Sequence, residues 1–156
     1  MNVFAVSLLL FAAASEGRLT PLTVYAGNWL FTPAPKAGTP PTSDHLTNHC
    51  HMDDAFYTCE QVVNGKPVAI LIFVAGSKPG SFHTQAVQPD GSATGLGDLT
   101  IDGNHWTFSG KDETGKPGFR VENFFKDRNH IHFEQYKSGP TGAWVKTGEG
   151  DEVRLP

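Results

Sequence analysis

A chain of 156 residues can bury one sizeable core without help from a metal, and no second domain or internal repeat is visible in it. Its 17 Gly and 11 Pro, set against only 18% charged residues, exclude a framework of long helices and favour many short strands joined by tight turns. A net charge of -4 without any basic run excludes nucleic acid as a partner.

In chain order, residues 1–14 form the first element, MNVFAVSLLLFAAA, an apolar core from Val3 to Phe11 followed by three alanines that match a small-x-small cleavage site. This pattern predicts a signal peptide and a secreted or periplasmic protein. Its run of about 12 apolar residues falls short of the ~20 that a spanning helix needs, so no stable membrane span is expected. Residues 15–26 read as an N-terminal arm with a short helical turn near Leu22–Ala26, and residues 27–156 as a single β domain.

Gly27-Asn28-Trp29-Leu30-Phe31 opens the first strand, with Trp29 pointing inward. A helical turn followed by Gly-x-Trp resembles the opening of lipocalins and their calycin relatives. The resemblance implies that Trp29 plugs one end of a barrel against an arginine from near the chain's end, here Arg154, with Gly27 as the third structural residue. The chain is also similar to the small exported lipocalin-like domains of unknown function found in bacteria, through the same Gly-x-Trp and an all-β meander. Read without that likeness, Trp29 is a core tryptophan of an antiparallel sheet.

Four prolines between Pro33 and Ser43 predict a longer loop. Strands resume at 45–51, 55–63 and 66–75. A turn centred on Asp54-Ala55 sets Cys50 opposite Cys59, and an oxidising compartment favours their disulfide over a two-cysteine metal site or two free thiols. Asn64-Gly65 is a type I′ hairpin signal, and the apolar run Val68–Val74 after it reads as a central strand. Pro67 is tolerated at that strand's start.

Residues 82–88 alternate as a half-buried strand. Asp102-Gly103 signals a further hairpin, pairing Leu99 with Trp106, Ile101 with Asn104 and Gly97 with Phe108. Over Asp127-Arg128-Asn129, strands 119–125 and 130–137 pair so that Glu122 faces Glu134, and 143–155 forms the last strand. Nine to ten sequential antiparallel strands close most economically as an up-and-down β-barrel; a twisted sandwich is the other arrangement considered.

Inside such a barrel, Trp29, Tyr57, Ile70, Ile72, Leu99, Trp106, Phe108, Phe133 and Trp144 are expected to fill the core or line a ligand site, with the small Ala86, Gly95 and Gly97 favouring a cavity. Two His-x-His pairs, His49 with His51 and His130 with His132, put their rings about 7 Å apart on one face of a strand. They are read as outward-facing and no metal site is assigned, although a metal- or haem-binding protein using the histidines stays open as the second reading. Hydrolase and phosphate-binding motifs are missing, and Glu122 with Glu134 reads as a surface charge pair and not as an acid–base dyad. The expectation is thus a monomeric, non-catalytic binder of a small hydrophobic ligand, with no cofactor. An envelope module with a solid core is the third reading.

Overall fold

The computed structural model of the protein describes residues 17–35, 38–40 and 42–156. The expected signal segment, residues 1–14, lies outside the described residues, as do the first two residues of the arm. The rest of the arm is helical. A turn at residues 17–19 runs into a 3-10 segment over Thr20–Tyr25, with Pro21 in its first turn, where a missing N–H leaves no bond unmade.

Ten strands follow: β1 (Gly27–Pro33), β2 (Asp44–Asp53), β3 (Phe56–Val63), β4 (Lys66–Ala75), β5 (Ser81–Val87), β6 (Gly97–Asp102), β7 (His105–Lys111), β8 (Pro117–Asp127), β9 (His130–Ser138) and β10 (Trp144–Arg154). Each is antiparallel to its chain neighbours, and β1 pairs with β10 from Trp29↔Arg154 to Pro33↔Gly150. The sheet is therefore a closed up-and-down barrel without an open edge, as the strand count implies, and not a sandwich.

Turn chemistry sets most of the register. Asn64 and Gly65 both take positive φ, +50° and +76°, the type I′ geometry read from the sequence. The Asp54-Ala55 turn places Cys50 directly opposite Cys59, and the two are disulfide-bonded. The β6–β7 turn differs from the expected one. It is centred on Gly103-Asn104, with positive φ at Gly103, so Leu99 pairs with Phe108 and Ile101 with Trp106. A shift of two residues leaves every side chain on its expected face.

Two bulges do change faces. An unbroken ladder from the Asn64-Gly65 turn would set Ile70 opposite Cys59 and Ile72 opposite Tyr57, inside the barrel. Instead the register slips between Gln61 and Val62, next to Pro67, and Cys59 pairs with Leu71 and Tyr57 with Phe73. Leu71 and Phe73 point inward, while Ile70 and Ile72 turn to the outer surface, where Ile70 is 48% exposed. In β10 a slip between Lys146 and Gly148 likewise puts Trp144 outside, its ring 4.9 Å from the Arg120 guanidinium. Ile70, Ile72 and Trp144 are thus corrections to the expected interior, each caused by one inserted residue reversing the alternation.

The hydrophobic core occupies one end of the barrel, where Leu19 and Leu22 of the arm pack against Tyr57, Phe82, Leu99 and Trp106. We call this end the base. The β2–β3, β4–β5, β6–β7 and β8–β9 turns lie here; the other connections, including the long β1–β2 and β5–β6 loops, ring the opposite end, the mouth.

Candidate functional site

The base is closed by Trp29 and Arg154. The guanidinium sits 4.2 Å above the indole centroid and donates hydrogen bonds to the backbone carbonyls of Ala26 and Val24, capping the end of the 3-10 segment. Burial pushes its pKa below the ordinary arginine value. The indole N–H donates to the Tyr25 carbonyl at 3.1 Å. Gly27 has φ +110°, and a Cβ there would lie 2.9 Å from an Arg154 nitrogen, so the glycine is demanded twice. Gly27, Trp29 and Arg154 thus meet at the closed end of the barrel.

Above this plug the barrel is hollow. A cavity of about 280 Å³ is lined on its apolar side by Phe31, Leu46, Leu71, Phe73, Phe108, Val121 and Phe133, with the half-exposed Phe119 toward the mouth. Phe31 and Phe133 stack at 4.7 Å between centroids. That stack is possible because Gly150, beside it on β10, has no side chain: a Cβ there would meet the Phe133 ring at 2.7 Å. Ala86 contributes space, as expected of a small residue, whereas Gly97 is packed against Ser109 and Thr84 and Gly95 lies in the β5–β6 loop.

A short polar set lies toward the floor. Tyr25 rises from the arm into the barrel, edge-on to Trp106 at 5.3 Å, and its hydroxyl accepts a hydrogen bond from Asn123 Nδ2 at 3.1 Å. Burial pushes the Tyr25 hydroxyl well above the usual phenol range, so it stays protonated. Asn48, 6% exposed, donates Nδ2 to the Tyr25 carbonyl at 3.1 Å, and its Oδ1 is buried without a partner. Glu152 extends from β10 opposite Phe31, and burial raises its carboxyl to about 7. Among the described residues it is the only charged one that lines the cavity.

Of the residues expected inside, Phe108 and Phe133 line the cavity, and Trp29, Tyr57, Leu99 and Trp106 are buried in the base beneath it. Sequence reading missed the polar floor. Its signal was present for Glu152: Arg154 was assigned inward, and a period of two carries the same face to Glu152 and Gly150. The inward disulfide similarly implies Asn48 and Leu46 on β2 and Gln61 on β3.

None of the seven histidines lines the cavity. His49 and His51 are exposed opposite Glu60 and Thr58, as expected. His130 and His132 pair with Asp127 and Asp151 on the outer surface. There, Glu122 faces Glu134 across β8 and β9. Glu122 is held by His105, by the Thr107 hydroxyl at 2.7 Å and by an ion pair with Arg120 at 2.7 Å. His132, Glu134 and Glu149 bring ligand-type atoms within 4.8 Å of one another, but Lys146 already donates to both carboxylates and stands where a cation would sit. These charges are paired with one another, although the buried Arg120 Nε makes no hydrogen bond beside its ion pair with Glu122.

No protein-family model and no curated protein matches this chain. Among solved structures, Rv2717c from M. tuberculosis is similar over 89% of this chain and 98% of its own, with 14% sequence identity and a TM-score of 0.53. A likeness at that identity shows a shared barrel fold and nothing about a ligand.

Proposed function

We propose that this chain is an exported, lipocalin-like carrier that holds a small apolar or amphipathic molecule inside its barrel and performs no chemistry on it. The observation that carries the reading is the hollow: a barrel closed at one end by Trp29 and Arg154 and lined above by phenylalanine and leucine side chains. The Cys50–Cys59 disulfide supports an oxidising compartment, and no helix among the described residues is long and apolar enough to cross a membrane.

Uptake of a neutral naphthylamine dye tests the proposal. Saturable blue-shifted fluorescence is expected at one dye per chain, and Ala86→Phe, which fills the cavity from β5, should weaken uptake about tenfold. Absence of uptake, or uptake that Ala86→Phe leaves unchanged, overturns it.

A further inference from the structure

The ends of the cavity differ in chemistry, and the difference bears on the ligand. Its walls are hydrocarbon, and a guest's alkyl or aryl body can rest on them. Two oxygen acceptors among its lining residues receive no donor from the protein. Asn48 Oδ1 is buried and unpartnered, its amide nitrogen being spent on the Tyr25 carbonyl. Among the described residues no hydrogen bond or ion pair reaches the Glu152 carboxyl. Among the described residues no Lys, Arg or His lines the cavity to balance that charge. The nearest cation on its own strand, Arg154, is turned onto Trp29 and the carbonyls of Ala26 and Val24.

An unpaired carboxyl in an apolar enclosure is costly to the free protein, and that cost is relieved by whatever brings it a donor. A carboxylate ligand does the reverse, adding a like charge beside Glu152. We propose that the barrel selects an amphipathic primary amine, its hydrocarbon part against the phenylalanine walls and its ammonium anchored by Glu152. This rests on the carrier reading above. Binding of the ammonium requires ionised Glu152, so its affinity falls as the pH drops below about 7, the value to which burial raises that carboxyl. The elements packed round Glu152 bring few other titratable groups into the cavity. β1 presents Phe31, β9 Phe133 and Gln135, β2 Leu46 and Asn48, and β8 Val121 and Asn123; the arm presents Tyr25, whose hydroxyl keeps its proton throughout.

The test is calorimetric titration of the full chain with octylamine, octanol and octanoate at about pH 8.5 and about pH 5.5, in the wild type and in Glu152→Gln. Octylamine should bind wild type at least about tenfold more tightly than octanoate at the higher pH. That preference should vanish at the lower pH and in Glu152→Gln, with octanol as the uncharged reference for occupancy of the cavity in each. Equal binding of amine and carboxylate, or tighter octanoate, overturns the amine assignment and leaves the carrier standing. An amine preference that survives Glu152→Gln overturns the role of Glu152. Failure of all three ligands, octanol included, overturns the carrier reading together with this one.

Discussion

A carboxyl whose ordinary value is 4.5 and whose value in the barrel is about 7 holds its proton more tightly in the folded chain than in the unfolded one. The stability this contributes is fully present below about 4.5 and is lost as the pH rises through 7. Water reaching Glu152 through the mouth reduces the effect, which we place at about 2 kcal/mol across that window. Urea unfolding of wild type and Glu152→Gln from pH 4 to 9 isolates it. The glutamine variant should gain on wild type through the window and remain more stable above it; a flat difference would show that the carboxyl is solvated like a surface one. The exposed Asp90, Asp112 and Asp127, whose hydrogen-bonded neighbours hold them below the usual range, titrate lower and cancel in the comparison. At this scale the sequence was readable by phase: once Arg154 is placed inward, Glu152 follows. Tyr25 was hidden, because a side chain delivered into a barrel by the preceding arm obeys no strand alternation.

Among the elements, the β2–β3 hairpin is both the best specified and the most strongly clamped. Its turn and register follow from spacing, and its disulfide from that spacing together with an oxidising compartment. Closing so short a loop stabilises by about 2–3 kcal/mol on the chain-entropy estimate, so Cys50→Ala/Cys59→Ala should lower the melting temperature by roughly 5–10 °C. Scanning calorimetry of oxidised wild type, reduced wild type and the double variant checks this, and coincident melting of all three would refute it. The errors in reading β4 and β10 have one source. Val68–Val74 is apolar on both faces, so nothing in its composition marks which residues look inward, and the slip near Pro67 reverses the answer that the turn predicts. The slip beside Gly148 does the same to Trp144. A bulge is a property of two paired strands, and a single strand's pattern does not contain it.

For the molecule as a whole, closure depends on the first and last strands meeting, and Arg154 ties that seam to the arm that precedes it. Arg154→Met keeps apolar contact with Trp29 but leaves two carbonyls without their charged donor, and should cost about 2–4 kcal/mol in denaturant unfolding. A loss below about 0.5 kcal/mol would show that the ladder alone closes the barrel. The all-β class and closure were legible because turn signals recur at short intervals and leave no room for crossovers. Whether the interior is full was not, since it depends on which face of β4 and β10 contributes and on how far the arm enters.

Both described chain ends emerge at the base: Arg18 is bonded to the carbonyls of Gly76 and Lys78 in the β4–β5 turn, and β10 finishes on the plug. A linker joined ahead of residue 17 or beyond Pro156 therefore departs from the pole opposite the rim. Immobilised by either terminus, each copy would stand with its opening toward bulk solution, and fusion partners would lie at the far pole.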